Sequence, residues 1–344
     1  MGLQISEIIP KKQIAFSDLK GKTIAVDAFN AIYQFLTTIR QLDGTPLKDS
    51  KGNITSHLSG LFYRNMNLIF EGVKLIYVFD GVSPELKEET LESRKETKLN
   101  ALEKYKKALE EKDIELMGRY ARADTFLDKQ KIKESKLLLE AMGIAVVQAP
   151  GEGEAQASFL AQKKEVYAVA SQDYDCLIFK APKLIQNLSL ARKRKTVTGY
   201  VEVSPKLIEI SEVLKQLDIN QEQLICLGIL CGTDYNPGGV HGIGPKRSLK
   251  IVREFKTKEK IFQALENKEK PEFSKYEVNF DWREVYKEIE NPIIDKNAKI
   301  RFPKIDPKKI KKILLRYEFS EKRIDSQLEK LDAVKKQAAQ RTLF

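Results

Sequence analysis

Ala149 to Asp175 reads A-P-G-E-G-E-A-Q-A-S-F-L-A-Q-K-K-E-V-Y-A-V-A-S-Q-D-Y-D, and the rest of the chain is organised around this stretch. It holds two acidic pairs, Glu152 with Glu154 and Asp173 with Asp175. The proline and glycine before the first pair predict the end of a strand, and the residues from Glu154 onward predict a helix. The short apolar run before the second pair is typical of a buried strand. The pattern indicates a strand–loop–helix–strand unit with acids at both strand ends, where ligands gather in open α/β sheets.

Two other predicted strands also end in an acid. T-I-A-V runs directly into Asp27, and L-I-Y-V-F runs directly into Asp80. A further acid, Asp234, lies in G-T-D-Y-N-P-G-G. Parallel pairing brings these ends to one edge, where so many carboxylates repel one another unless hard cations such as Mg²⁺ or Mn²⁺ neutralise them. A single acid of this kind can be a solvated loop residue or a helix cap, so the repetition is what predicts a metal site. The candidate ligands are Asp27, Asp80, Glu152, Glu154, Asp173, Asp175 and Asp234.

The charge distribution points to an anionic partner. The 344 residues, enough for one large or two modest domains, carry a net charge of +11. Residues 137–179 have two basic and six acidic residues, whereas residues 180–260 have 15 basic and eight acidic residues. A negative island in a positive protein suits a metal-loaded site that acts on phosphates. The alternative is a basic protein with random clustering.

Cysteine and histidine usage excludes several other kinds of site. The three cysteines have no C-x-x-C spacing, and the chain has only two histidines. A Cys/His zinc site and a Ser-His-Asp or Cys-His centre are therefore not expected. The N-terminus lacks the pattern of a signal peptide, and no apolar run approaches the length of a membrane helix. We expect a soluble, cytoplasmic protein.

Two regions near the acids supply candidate substrate contacts. In the predicted helix that follows Asp27, Tyr33 is a candidate surface for stacking a base, although an aromatic residue there can equally be core. Residues 84–140 are rich in Lys and Glu at helical spacing and are inserted directly after the second predicted strand. Lys87 and Arg94 lie seven residues apart, close to two helical turns, so both can face the acids and stabilise charge on a phosphate. A solvated helical hairpin is the alternative.

A glycine-rich turn predicts a second phosphate contact. The apolar helix 224–231, the turn and a helix that begins near Pro245 form a helix-turn-helix pair, whose backbone N–H groups and helix dipole favour a phosphate. Such a contact is independent of sequence. A basic tetrad at 192–195, predicted to lie in a loop, is a further candidate. The candidate DNA-binding residues are Arg192, Lys193, Arg194, Gly242, Gly244, Lys246 and Arg247.

The rest of the chain is less informative. Residues 176–179 and 184–185 resemble short strands, and residues 257–334 read as helical and charged. Trp282 is expected in the core. The tail ends in an apolar pair after polar residues, which indicates a docking peptide or a frayed end. Its candidate contacts are Gln340, Leu343 and Phe344.

These motifs closely resemble those of the archaeal flap endonucleases, within the structure-specific 5′-nuclease family that includes the xeroderma-group-G nuclease. The resemblance covers nearly the whole chain. The motifs that carry it are Val26-Asp27-Ala28, Tyr77-Val78-Phe79-Asp80-Gly81, Ala149-Pro150-Gly151-Glu152-Gly153-Glu154-Ala155, Ala170-Ser171-Gln172-Asp173-Tyr174-Asp175 and Gly232-Thr233-Asp234-Tyr235-Asn236-Pro237.

The resemblance implies an α/β fold: a central, mostly parallel twisted sheet flanked by helices (the PIN-like 5′-nuclease fold), a helical arch insertion and a helix–two-turn–helix DNA-binding motif. It implies an N-terminal nuclease region with the start of the arch at 1–100 and the rest of the arch at 101–135. An internal nuclease region with the helix–two-turn–helix follows at 136–260. A C-terminal helical region at 261–334 and a clamp-docking tail at 335–344 complete the chain.

By position, the resemblance assigns Lys87 and Arg94 to the family's basic pair and Tyr33 to its stacking tyrosine. It implies two Mg²⁺, replaceable by Mn²⁺, and a K⁺ held by backbone carbonyls at the helix–two-turn–helix. The first metal would be held by Asp27, Asp80, Glu152 and Glu154. The second metal would be held by Asp173, Asp175 and Asp234, with some ligands acting through water.

The implied activity is 5′-flap endonuclease with 5′–3′ exonuclease activity, acting on branched double-stranded DNA in Okazaki fragment maturation and repair. We expect a monomer that also binds a sliding clamp. Two departures from the family stand out: Gly151 replaces a usual serine, and the tail stops short of the clamp-binding form Q-x-x-L/I-x-x-aromatic-aromatic. The alternatives are a related 5′-nuclease that cuts bubbles or RNA, and a non-catalytic scaffold that binds DNA junctions.

Overall fold

The structure is a computed structural model, and it describes residues 3–41, 44–82, 84–87, 92, 96, 100, 103–104, 107, 127–189, 193–196 and 199–341. Most of the predicted arch, including Arg94, lies outside the described residues. Arg192, Leu343 and Phe344 also lie outside them.

A mixed seven-stranded sheet forms the centre of the molecule, with the strand order β1-β9-β6-β5-β2-β3-β4. The five strands from β6 to β4 are parallel, β9 is antiparallel to β6, and β1 is antiparallel to β9. The mostly parallel sheet predicted from the sequence is therefore confirmed. The strands are β1 Lys12–Gln13, β2 Thr23–Asp27, β3 Lys74–Phe79, β4 Ala145–Gln148, β5 Ala168–Ala170, β6 Lys183–Gln186, β7 Lys193–Thr196, β8 Gly199–Glu202 and β9 Lys206–Glu209.

Helices cover both faces of this sheet. Short 3₁₀ helices occupy Phe16–Leu19, Glu85–Lys87 and Pro271–Lys275. Within the described residues, the α-helices are α1 Ala28–Thr38, α2 Ser56–Phe70, α3 Lys129–Ala141, α4 Gly153–Gln162, α5 Asp175–Ile178, α6 Ile210–Leu217, α7 Gln221–Cys231, α8 Pro245–Phe255, α9 Lys258–Glu266, α10 Trp282–Glu290, α11 Pro307–Arg316 and α12 Glu321–Arg341. None of them is long and apolar enough to cross a membrane.

The alternation of side chains along β3 creates two cores, one on each face of the sheet. Tyr77 and Phe79 pack with α1, α2, α3 and the C-terminal helices, whereas Ile76 and Val78 pack with α4, α5 and the helices from α7 to α10. All four side chains are fully buried, as a central parallel strand requires. Trp282, stacked on Phe262 at 4.4 Å between ring centroids, belongs to the second core, as expected.

The strand order reverses at β2, and this reversal positions the candidate site. Continuing from β2, the chain adds β3 and β4 on one side, and it then returns to place β5 and β6 on the other. Ligand crevices form at such switch points, outside the carboxyl ends of the strands. The carboxyl ends of β2, β3, β4 and β5 therefore meet at one edge, which we call the acidic edge.

Three sequence predictions are wrong in detail. The run 176–179 is not a strand, since Asp175–Ile178 is α5: the run follows β5 too closely for the crossover that another parallel strand needs. The basic tetrad is not a loop, because Lys193–Thr196 pairs with Gly199–Glu202 in an antiparallel hairpin.

The third error concerns the C-terminal region, which is not helical throughout. Residues 291–306, which we call the strap, form neither helix nor strand. Pro292 and Pro303 lie within the strap, and proline disfavours helix both at its own position and at the preceding residue. The strap connects α10 to α11.

Candidate metal centre and DNA contacts

The elements of the fold deliver the predicted acids to the acidic edge. Asp27 ends β2 and caps the N-terminus of α1 by accepting a hydrogen bond from the backbone N–H of Asn30 at 3.1 Å. Asp80 follows β3, the Asp173 and Asp175 pair follows β5, and Asp234 lies in the loop after α7. The Glu152 and Glu154 pair opens α4. The structure thus brings together all seven candidate ligands that the sequence predicts.

The glycine between the two glutamates has a structural reason. The N–H of Gly153 donates to Oδ1 of Asp80 at 2.6 Å, so the start of α4 holds this carboxylate. A Cβ at Gly153 would lie 2.6 Å from the same oxygen and 3.0 Å from the carbonyl oxygen of Val78. Only glycine therefore allows α4 to approach the end of β3 this closely.

Two polar residues that the sequence analysis missed connect the acids. The side-chain amide of Asn30 donates to Oδ2 of Asp173 at 2.8 Å, and its oxygen accepts from the N–H of Gln172 at 3.1 Å. The hydroxyl of Ser171 lies 3.2 Å from Oδ2 of Asp27 and 3.1 Å from Oε1 of Glu154. Both residues lie inside or beside the quoted motifs, but only the three-dimensional fold shows that they bridge acids of different elements.

The crowding of buried carboxylates raises their pKa values. Burial and the Asp80 carboxylate raise the pKa of Asp27 to about 7, and burial raises that of Asp80 to about 6. Burial and the Asp234 carboxylate raise the pKa of Asp175 to about 7, and the pKa of Glu154 is raised well above its ordinary value by burial and by Asp27. Ionising these acids together is costly without a cation, which is the chemistry expected of a divalent metal site.

An ammonium group lies among the acids. Lys87, in the 3₁₀ helix after β3, pairs with Glu152 and lies 3.6 Å from Oδ2 of Asp234. Burial opposes its charged form, but Glu152 and Asp234 outweigh burial and raise the pKa of Lys87. Its Nζ also lies 4.9 Å from the centre of the Tyr235 ring. Tyr235 is a further residue that the sequence analysis did not single out.

The donor set suits a divalent metal in its chemistry, although its geometry is not yet that of a bound ion. Within the part of the chain that the structure describes, no three acids already converge as metal ligands do. The Lys87 ammonium lies between two of them instead.

Two other contacts lie at the same edge. The N–H of Leu3 donates to Oδ1 of Asp175 at 3.0 Å, so the N-terminal segment holds a candidate ligand. Tyr33 lies half-buried on α1, near enough in sequence to Asp27 to remain a candidate for stacking.

The predicted phosphate contact is a turn between α7 and α8. Gly242 has φ +78°, which favours glycine, and Gly244 caps the N-terminus of α8. Lys246 is exposed and lies 3.4 Å from Glu7 Oε2. The guanidinium of Arg247 donates to the Gly242 carbonyl and lies over the ring of Tyr276. The other candidates fall in less fully described parts: Lys193 and Arg194 lie in β7 and Gln340 in α12, without a description of their side chains.

Comparisons with known proteins identify the family. Residues 2–101 match the XPG N-terminal domain, and residues 143–234 match the XPG I-region. The chain is 49% identical over its full length to flap endonuclease 1 of Pyrococcus furiosus and 48% identical to that of Thermococcus onnurineus, covering 98% of each. The chain belongs to the flap endonuclease 1 family.

Solved structures of other proteins share the fold. Flap endonuclease-1 from Methanococcus jannaschii superposes with a TM-score of 0.74 at 39% identity, covering 97% of this chain and 98% of the other. The catalytic core of Rad2 in complex with DNA substrate gives a TM-score of 0.71 at 23% identity, with 93% and 96% covered. This second likeness shows that the fold is shared at lower sequence identity.

Proposed function

We propose that this member of the flap endonuclease 1 family is a structure-specific 5′-flap endonuclease, with 5′–3′ exonuclease activity, that serves Okazaki fragment maturation and DNA repair. It hydrolyses a phosphodiester near the base of the flap. The observation that carries this proposal is the meeting of all seven motif acids at one sheet edge, in a chain that matches flap endonucleases over its full length.

The acidic edge holds two divalent metals, Mg²⁺ or in its place Mn²⁺. When bound, this metal pair supplies an activated water and stabilises the leaving oxygen. Asp27, Asp80, Glu152 and Glu154 hold the first metal. The second metal is held by Asp173, Asp175 and Asp234.

The residues of this chain orient the substrate. Lys87 withdraws from Glu152 and Asp234 and pairs with the scissile phosphate, and Arg94 adds a second positive charge. Tyr33 stacks on a base near the cut. Asn30 and Ser171 hold the carboxylates in position through hydrogen bonds.

The duplex is held at the turn between α7 and α8. Gly242 and Gly244 offer backbone N–H groups, and Lys246 and Arg247 offer charge to the phosphates. Arg192, Lys193 and Arg194 extend this contact. Affinity therefore falls steeply as salt increases, because counterions are released.

Three further assignments belong to the proposal. A K⁺ binds backbone carbonyls at the turn, and Arg247 must then release the carbonyl of Gly242, which it now bonds. The tail, with Gln340, Leu343 and Phe344, docks on a sliding clamp. The protein acts as a monomer in the cytoplasm.

The test is a duplex with a 5′ flap labelled at the flap end, incubated with protein in Mg²⁺ or in EDTA. We expect one short product from the junction in Mg²⁺, absent in EDTA and absent from single-strand and blunt-duplex controls. Asp173→Asn abolishes cutting but keeps junction binding. Preferred cutting of a bubble or an RNA strand would favour a related nuclease, and binding without any cutting would favour the scaffold.

A further inference from the structure

The strap and the start of α11 carry a concentrated positive charge. Residues 296–309 contain six basic residues and one acidic residue, a net charge of +5 in 14 residues, against +11 for all 344. All six basic side chains are exposed. We call this surface the basic strip, and it consists of Lys296, Lys299, Arg301, Lys304, Lys308 and Lys309.

The part of the strip that precedes α11 is anchored to the core. Ala298 and Ile300 pack against the core, while the alternate residues Lys299 and Arg301 are exposed. These contacts hold Lys299 and Arg301 on the surface of the molecule.

The charges of the strip are available to an external anion. Within the described parts of the chain, no carboxylate lies within 4.0 Å of a charged group of the strip. Lys311, on the following turn of α11, behaves differently: its ammonium lies 2.7 Å from Glu321 and 2.9 Å from Asp325. The basic residues of the strip lack acidic partners, whereas the neighbouring Lys311 has two. This difference indicates that the strip is a binding surface.

An exposed aromatic ring interrupts the strip. Phe302 is 47% exposed and stands between Arg301 and Lys304 in the sequence. Proteins that bind single-stranded nucleic acid combine a positive track for the backbone with aromatic rings on which bases stack. A duplex, with its bases already stacked inside, does not need such a ring.

The strap that carries most of the strip begins beside the acidic edge. A Cβ on Gly151, the residue before Glu152, would lie 2.9 Å from the carbonyl oxygen of Ile293 at the start of the strap. The side chain of Gln156 on α4 bonds both the N–H and the carbonyl of Asp295, at 2.7 and 3.0 Å.

The other end of the strap is fixed to α3. The N–H of Asp306 donates to the carbonyl of Ala141 at 2.8 Å, and Pro303 and Ile305 lie against Gly143, just before β4. The strap therefore runs beside β4, from the carboxyl end of β4 at the acidic edge to the amino end of β4. A single strand of nucleic acid that leaves the acidic edge over β4 meets the strip directly.

We propose that the basic strip binds single-stranded nucleic acid, with its backbone along the charges and a base on Phe302. In this protein the single strand is the 5′ flap beyond the bond to be cut. The identity of that strand rests on the proposed function, whereas single-strand binding by the strip does not.

The test compares two variants of the full chain with a matched control. The first replaces three charges (Lys299→Gln, Arg301→Gln and Lys304→Gln), and the second is Phe302→Ala. The control removes three exposed lysines near the opposite ends of the strands. Its substitutions are Lys20→Gln, Lys74→Gln and Lys180→Gln.

Binding is measured in EDTA by fluorescence anisotropy, with an oligothymidylate of about 20 nucleotides, longer than one single-strand site. The same duplex with and without a 5′ flap of that length provides the comparison. For the triple variant we expect at least about tenfold weaker binding of the oligothymidylate and a log–log salt slope shallower by about 2, since each lost contact with a single strand contributes about 0.7. Phe302→Ala weakens binding by about fivefold or more. The flapless duplex is bound as before, and the control behaves as the parent protein.

Unchanged binding of the oligothymidylate by the triple variant would overturn the proposal. An equal loss on the flapless duplex would also overturn it, by showing a general electrostatic effect. If the parent protein binds single strands through the strip but cuts no flap, the proposed function fails while the strip remains a single-strand site.

Discussion

At the residue scale, Asn30 hydrogen-bonds two of the proposed metal ligands without being one of them. Its amide holds Asp173 through a hydrogen bond, while its backbone N–H holds Asp27. We predict that Asn30→Leu, similar in shape but without the amide, weakens metal binding roughly 10- to 100-fold, as loss of a hydrogen bond to a ligand does. Titration with Tb³⁺ luminescence measures this affinity without any reaction.

The matched control for Asn30 lies one turn further along α1. Gln34 accepts a hydrogen bond from Ser189 at 2.8 Å and touches none of the acids through it. Gln34→Leu should leave Tb³⁺ affinity unchanged. An equal loss in both variants would show that α1 merely needs polar residues to fold.

Lys87 leads to a second prediction, in which metal affinity and cutting rate change in opposite directions. Its ammonium now neutralises Glu152 and Asp234. Lys87→Met removes this competing charge, so we expect metal affinity to rise by at least roughly tenfold, because charge pairs near 4 Å contribute about 1 kcal/mol or more. Cutting slows by roughly 100-fold or more, because the phosphate loses its positive partner.

Metal titration and single-turnover cleavage measure these two effects separately. Lys136→Met is the control, since that ammonium bonds Gln148 and lies 4.8 Å from the Phe79 ring rather than among the acids. Metal affinity that falls with cutting rate would contradict the prediction.

At the scale of elements, the start of α4 leads to a third prediction from two neighbouring glycines. Gly153→Ala places a methyl group against Asp80, whereas Gly151→Ala places one against the strap at Ile293. Both variants should unfold at lower temperature. Only Gly153→Ala should raise the Mg²⁺ concentration needed for cutting, by about tenfold or more, because it displaces a carboxylate.

Thermal melts and a Mg²⁺ titration of the cleavage rate separate the two effects. Equal Mg²⁺ requirements in both variants would mean that the N–H of Gly153 does not position Asp80. The absence of a side chain at Gly151 also leaves room for the strap to pass.

The elements that the sequence predicts correctly are those with strong local signals. Asp27 and Asp80 each follow an apolar run directly, and parallel pairing of these runs predicts that the two acids meet. The run 176–179 is wrongly predicted as a strand, because a short apolar run has no usable period. The strap and the contacts of Asn30 depend on residues distant in sequence, such as Gln156 with Asp295, and no local pattern encodes them.

At the scale of the whole molecule, the acidic edge makes stability depend on pH and metal together. The pKa values of Asp27, Asp80 and Asp175 rise from 3.8 to about 7, 6 and 7, so the folded protein holds protons that the unfolded chain has lost. The stability that these groups contribute is complete below pH 3.8 and is lost as pH rises through 6 to 7. In the proposed metal-bound state, Mg²⁺ would take the place of those protons.

We therefore predict that Mg²⁺ raises the melting temperature more at pH 8 than at pH 5, by about 5 °C or more. Scanning fluorimetry in Mg²⁺ and in EDTA at both pH values measures this difference, and groups that titrate elsewhere affect both conditions alike. Asp80→Asn removes one charge and should reduce the difference. A gain that is equal at both pH values would contradict the prediction.

The sheet pairs strands that are far apart in the sequence, and this has a consequence for protein synthesis. β2 pairs with β5, so the pairing of Ile24 with Ala168 cannot form until Ala168 has been synthesised. Asp234 is synthesised later still. Domains fold as the chain emerges from the ribosome, N-terminal parts first. The seven carboxylates cannot assemble until about two thirds of the chain exists. A nascent or truncated chain that ends before Asp234 thus lacks a complete acidic edge. We expect such a chain to have no nuclease activity.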